Sequence, residues 1–130
     1  MTITFTESEA MEYFHTALCN GLFYYEGYGI EIIYNPSDYK EARARLQAKK
    51  PNEAICYEDI YCEILEGGGA LTTVDNENGE EDKVITKADV VTRMSLVPTR
   101  HLTDMILEND DAETADVVLQ TIFFEDVIFG

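Results

Sequence analysis

Residues 57–96 constrain the fold more than any other part of the chain, because they combine a helical pattern, a glycine stop, a hairpin pattern and a second helical pattern. From Tyr57 to Leu65, apolar side chains recur three and four residues apart, which is the spacing of one helical face. The three consecutive glycines at 67–69 then predict the end of that helix. This order of elements indicates an α+β architecture.

Two β-prone stretches follow the glycines, at residues 71–74 and 84–86, with an acidic loop between them. The dipeptide Asn78-Gly79 in this loop is the one that a tight type I′ hairpin turn prefers. Thr86 stands where the N-cap of the next helix is expected. We therefore predict a hairpin with its turn at Asn78-Gly79.

The rest of the chain predicts further helices and one more β region. Thr6 has the features of a helix N-cap, and Asn35-Pro36 those of a helix start. The aromatic run at 22–34 predicts one or two strands that are broken near its glycines. Asp110, with Glu113 three residues later, has the spacing of a capping box for the last helix.

The predicted architecture is thus an α+β fold of four or five helices with one small, mostly antiparallel sheet. Residues 1–130 are expected to form a single compact domain, since 130 residues suit one domain and 45% of them are hydrophobic. The apolar segment at 125–130 is expected to pack on the body of the protein or on a second subunit.

Charge is the strongest chemical property of the sequence. The chain has 26 acidic and 9 basic residues, for a formal net charge of −17. This balance argues against direct binding to nucleic acid or to an anionic membrane surface, because like charges repel. Five of the nine cations lie at residues 36–50. The three cysteines, together with an N-terminus that lacks a leader pattern, predict a reducing, cytoplasmic location.

The sequence offers no convincing catalytic or metal-binding pattern. His15 and Cys19 are four residues apart and could face each other on a helix, but nothing in the sequence orients them as base and nucleophile. In the acidic loop, Gly79 falls at the fifth position counted from Asp75, whereas a calcium-binding EF-hand loop needs glycine at the sixth. We therefore predict a protein that is not an enzyme and that uses no cofactor or metal.

Three sequence patterns, EDIYCEILEGGGALTTVD, ITKADVVTRM and DAETADVVLQTIFFEDVIFG, together resemble small uncharacterised proteins encoded by bacteriophages. In such proteins a helix ends in paired glycines, a strand follows, and the chain closes on a glutamine-containing helix. The resemblance covers residues 54–130 and implies a phage origin, with the host cytoplasm as the location. It implies no catalytic residue.

Three functions are compatible with these features. The first is an interaction or assembly protein that forms homo-oligomers; its candidate contacts are Tyr24, Tyr28, Val127, Ile128 and Phe129. The second is an acidic mimic of nucleic acid that inhibits a basic host-defence or DNA-handling protein; its candidate face is Asp104, Glu108, Asp110, Asp111, Glu113, Asp116, Glu125 and Asp126. The third is a binder of small anionic ligands through the basic helix; its candidate contacts are Lys40, Arg43 and Arg45.

Overall fold

Two long helices, α1 (Glu7–Gly21) and α7 (Ala112–Phe124), pack against each other in the centre of the hydrophobic core. The structure is a computed structural model, and it describes residues 4–109 and 111–129. Phe14 of α1 and Phe123 of α7 are fully buried, with ring centroids 6.1 Å apart. Gly21 permits a close approach of the two helices, because a Cβ atom there would lie 2.8 Å from the Cβ of Ala115.

Between these two helices the chain forms shorter elements. In order they are α2 (Phe23–Tyr28), β1 (Ile30–Tyr34), α3 (Pro36–Lys49), α4 (Tyr57–Glu66), β2 (Leu71–Asp75), β3 (Lys83–Ile85), α5 (Lys87–Arg93), a 3₁₀ turn (Met94–Leu96) and α6 (Thr99–Ile106). The α+β prediction is confirmed. Over the described ranges there are seven α-helices in place of the four or five expected.

The sheet has three antiparallel strands in the order β1-β2-β3. In the register of the first pair Ile30 lies opposite Asp75, and Tyr34 lies opposite Leu71. In the second pair Leu71 lies opposite Ile85. Leu71 and Ile85 are fully buried, so this end of the sheet packs into the core beside α7.

The prediction of strand structure throughout residues 22–34 is wrong for its first half, which forms α2. Tyr25 is buried against Phe123 and Phe124, at centroid distances of 6.0 and 6.4 Å. This tertiary packing outweighs the β propensity of the aromatic residues. Gly29, with φ of 76°, provides the left-handed residue that ends α2 and starts β1.

The predicted hairpin is present, but the type I′ turn at Asn78-Gly79 is not. The strands end at Asp75 and begin again at Lys83, so a seven-residue loop joins them. The Asp75 carboxylate accepts hydrogen bonds from the main-chain N–H groups of Glu77, Asn78 and Glu80, at 2.9, 2.8 and 3.0 Å. This side chain satisfies the loop amides that a tight turn would have paired across the strands.

Helix caps largely follow the sequence. Thr6 is the N-cap of α1, as expected, and it also forms a capping box with Glu9. Asp111 caps α7 by accepting a hydrogen bond from the N–H of Thr114, whereas Asp110, which we had expected to be the cap, lies outside the described residues. Within the part of the chain that the structure describes, each helix is too short or too polar to cross a membrane.

Candidate interaction surface

A row of exposed and half-buried aromatic and aliphatic side chains joins α2 to the segment after α7. We call it the C-terminal aromatic surface and define it as Phe23, Tyr24, Tyr28, Val127, Ile128 and Phe129. Its aromatic rings stack in sequence, with centroid distances of 4.4 Å for Phe23–Tyr24, 6.2 Å for Tyr24–Tyr28 and 4.8 Å for Tyr28–Phe129. Phe23 is 64% exposed, Val127 42% and Ile128 39%. The structure therefore brings together all five predicted oligomer contacts, although more than 90 residues separate the two segments in the sequence.

Gln120 holds the C-terminal segment in place. Its side-chain oxygen accepts hydrogen bonds from the N–H groups of Ile128 and Phe129, both at 2.8 Å. Its side-chain nitrogen donates to the carbonyl oxygen of Phe129 and to Asp116 Oδ2, both at 3.1 Å. Gln120 is fully buried, and we did not select it from the sequence. Its position between Leu119 and Thr121 on a buried helix is the signal that could have identified it, since buried polar side chains are normally paired.

Tyr28 connects the two halves of this surface through Asp116. Its hydroxyl donates a hydrogen bond of 2.7 Å to Asp116 Oδ2. Burial, together with this hydrogen bond and the negative charge of Asp116, raises the pKa of Tyr28 well above its usual value. Burial and the same carboxylate also raise the pKa of Tyr25. Both phenols are therefore neutral at physiological pH and contribute an apolar body with one polar atom.

A cavity of about 420 Å³ lies beside the stacked rings. Tyr24, Tyr28, Val127 and Phe129 line one part of it, and Arg100 and Glu113 lie at its rim. Arg100 and Glu113 form an ion pair of 3.7 Å in which both side chains are more than 70% exposed, so the pair contributes little to stability. The surface thus combines an apolar depression with an exposed charged rim, as protein interfaces commonly do.

The candidate acidic face is partly occupied by contacts within the chain. Asp111 caps α7, and Asp116 is bound by Tyr28 and Gln120. Glu113 pairs with Arg100, and Glu125 pairs with Arg93 at 3.3 Å. Asp126 accepts a hydrogen bond of 2.8 Å from the N–H of Val127. The remaining predicted positions are Asp104 and Glu108, which the structure describes, and Asp110, which it does not. The carboxylates engaged in these contacts are consequently not free to imitate phosphate groups.

The basic helix α3 separates its predicted anion contacts. Lys40 and Arg43 lie on one exposed face, beside a shallow depression of about 400 Å³ that Tyr39 and Gln47 also line. Arg45 points elsewhere, since its Nε donates to Glu63 at 2.9 Å. Among the residues with described positions, four cations form no ion pair; they are Lys40, Arg43, Lys49 and Lys83. Three of these four are on α3.

The His15–Cys19 pair has a third member that the sequence did not suggest. His15 Nε2 lies 2.5 Å from Asp59 Oδ1 and 3.9 Å from Cys19 Sγ. Both partners approach the same ring nitrogen of His15, whereas a catalytic triad places the nucleophile and the orienting carboxylate at opposite nitrogens of the histidine base. Burial, with the charge of Glu58 nearby, raises the pKa of Cys19, which disfavours the reactive thiolate.

The other titratable groups near this pair have structural contacts. Partial burial opposes the charge of Asp59, but hydrogen bonds with Cys56 and His15 outweigh it and lower the pKa of this carboxyl. Burial raises the pKa of Cys62 to about 12. Within residues 4–109 and 111–129, no three His, Cys, Asp or Glu side chains are arranged to hold a metal ion.

His101 has a structural position between α6 and α7. It is buried, its Nδ1 lies 2.8 Å from Thr114 Oγ1, and its Nε2 accepts a hydrogen bond of 3.2 Å from Arg100 Nε. An Nε2 that accepts implies that the proton is on Nδ1 and is donated to Thr114. The bond to Thr114 joins α6 to α7, whereas Arg100 lies beside His101 on α6.

The resemblance to bacteriophage-encoded proteins stays a prediction, and function is inferred from the surfaces described above. No protein-family model, curated protein or solved structure was found to match the chain.

Proposed function

We propose that this chain is a non-enzymatic, acidic interaction protein that assembles with a second copy of itself through the C-terminal aromatic surface. The observation that carries the proposal is the partly exposed stack from Phe23 to Phe129, flanked by the exposed Val127 and Ile128. Aromatic side chains provide a large contact area at a small cost in conformational entropy, and they are enriched at protein interfaces. Flat rings can also stack on identical rings across a two-fold axis.

The hydrogen bonds of Gln120 support the same proposal. They fix the main chain at Ile128 and Phe129, so the surface is already ordered before a partner arrives. Preorganisation reduces the entropy that binding costs. The acidic side chains of Glu125 and Asp126 at the edge of the surface keep it soluble in the unassembled state.

Salt dependence distinguishes this function from electrostatic binding to a basic protein. Two copies that each have a net charge of −17 repel each other, and added salt screens that repulsion. Self-association should therefore become stronger between low and moderate ionic strength. Binding of a nucleic-acid mimic to a basic protein would become weaker over the same range.

The test is sedimentation equilibrium over a range of protein concentrations and at two salt concentrations. We expect a reversible oligomer for the wild type and at least about tenfold weaker association when Phe23→Ser and Val127→Ser are combined. The matched control combines Leu96→Ser and Leu107→Ser, at positions that are 55% and 62% exposed and belong to neither the C-terminal aromatic surface nor the lining of the cavity beside it. A monomeric wild type, or equal dissociation by the control pair, would overturn the proposal.

A further inference from the structure

Strand β1 is an edge of the sheet whose outer main-chain groups have no strand beside them. The N–H of Asn76 donates to the carbonyl oxygen of Gly29 at 2.9 Å, which places that pair in a hydrogen-bonding position. In an antiparallel ladder, hydrogen-bonded pairs alternate with non-hydrogen-bonded pairs. Counting by twos from Gly29, Glu31 and Ile33 therefore direct their main-chain groups towards β2. Ile30, Ile32 and Tyr34 therefore direct theirs away from the sheet.

Apart from the exposed Glu31, this edge lacks the features that usually protect an edge strand. The strand Ile30-Glu31-Ile32-Ile33-Tyr34 contains no proline, lysine or bulge. No hydrogen bond in the described part of the chain reaches the outward groups of Ile32 and Tyr34. The opposite edge, β3, has only three residues, and one of them is Lys83. The two edges therefore differ in how readily they accept another strand.

A cavity of about 500 Å³ adjoins β1. Its apolar lining comes from α2, β1 and α4, through Leu22, Tyr25, Ile30, Ile32 and Tyr61. Three glutamates, Glu26, Glu31 and Glu77, also line the cavity, together with Gly29 and Asn76, and none of the glutamates forms an ion pair within the described residues. This cavity shares no residue with the C-terminal aromatic surface.

We propose that the β1 edge and this cavity bind an extended, cationic segment of a partner protein, which adds to the sheet as a fourth strand. Main-chain groups of the segment pair with Ile32 and Tyr34, an apolar side chain enters the cavity, and lysine or arginine side chains on either side meet the three glutamates. Charge complementarity selects this partner, because a second copy would bring another set of glutamates to the same place.

The test uses a short fluorescein-labelled peptide in which lysine alternates with valine, and its binding is measured by fluorescence anisotropy. Ile32→Pro removes an outward N–H without removing a hydrogen bond to β2, and we expect it to weaken binding by about tenfold or more. The matched control is Val84→Pro, which makes the same change on the opposite edge, because Val84 also lies at a position that points away from β2. It should leave the peptide affinity unchanged.

A second pair of variants tests the same site without proline. Glu77→Lys and Glu81→Lys change the net charge equally and lie in the same loop, but only Glu77 lines the cavity. We expect only Glu77→Lys to weaken binding. Hydrogen exchange gives a direct readout: the peptide should slow the amides of Ile32 and Tyr34, and leave those of Glu31 and Ile33 as they were.

Several results would overturn the proposal. One is that a peptide in which glutamate replaces lysine binds with the same affinity. Another is that a variant and its control, either Ile32→Pro with Val84→Pro or Glu77→Lys with Glu81→Lys, lose binding equally. Protection of Ile32 that rises with protein concentration in the absence of peptide would identify a second copy as the occupant. Peptide binding at β1 and self-association through the C-terminal aromatic surface are measured separately, so either proposal can fail alone.

Discussion

Gln120 is the residue whose replacement most directly tests how the C-terminal segment is held. Gln120→Met keeps the length of the side chain and removes all four of its hydrogen bonds to Asp116, Ile128 and Phe129. A typical hydrogen bond contributes a net ~0.5–1.5 kcal/mol, but the freed main-chain groups can reach water when the segment detaches. We therefore expect the free energy of unfolding to fall by about 2–3 kcal/mol.

Urea denaturation followed by circular dichroism measures this loss, and hydrogen exchange at Ile128 and Phe129 shows where it arises. The control is Gln47→Met, because Gln47 also donates two hydrogen bonds, to the carbonyl oxygens of Lys50 and Glu53, but at a partly exposed helix end. Water can replace those bonds, so the control should cost about 1 kcal/mol or less. Unchanged stability and unchanged exchange in Gln120→Met would refute the reasoning.

Two further predictions concern stability. Gly21→Ala should lower the free energy of unfolding by about 1–3 kcal/mol in urea denaturation, because the new Cβ would lie 2.8 Å from Ala115 Cβ. The control Gly27→Ala, which has open space around it, should not destabilise the fold. Equal effects of the two substitutions would contradict this prediction. Desolvation is the largest single influence on the pKa of Asp75 and raises it, but hydrogen bonds from the amides of Asn78, Glu77 and Glu80 together outweigh it and lower the pKa. The stabilising effect of Asp75 is therefore present above the ordinary value of 3.8 and is lost as the pH falls through the lowered pKa. Melting temperatures between pH ~6 and pH ~3 should thus fall more for the wild type than for Asp75→Ala, and parallel pH profiles would contradict the assignment.

Periodicity in the sequence was sufficient to predict most helices and the buried faces of the two central ones. Phe14 and Leu18 of α1, and Leu119 and Phe123 of α7, are buried as their spacing predicts. The helix at 23–28 was missed because its aromatic residues favour strands locally, and its burial depends on contacts with Phe123 and Phe124 that are distant in sequence. The tight turn was mispredicted because the Asn-Gly preference takes no account of the Asp75 carboxylate, which accepts hydrogen bonds from the loop amides.

The sequence predicted the candidate interaction sites less completely than it predicted the fold. The apolar character of residues 127–129 and the tyrosines of α2 suggested contacts, but only the fold shows that they form one stack. Asp59 beside His15 could not be anticipated, since 44 residues separate them in the sequence and no local rule links them. The edge of β1 was also hidden, because strand order is a property of the whole sheet.

The unpaired cations of α3 give the molecule a permanent electric dipole. Lys40, Arg43 and Lys49 face solvent on one helix, while the bulk of the charge elsewhere is negative. A molecule with this asymmetry rotates as it approaches a charged object, before any contact forms. Near a cationic surface α3 turns away, so these three side chains bias the orientation of a first encounter before any contact forms.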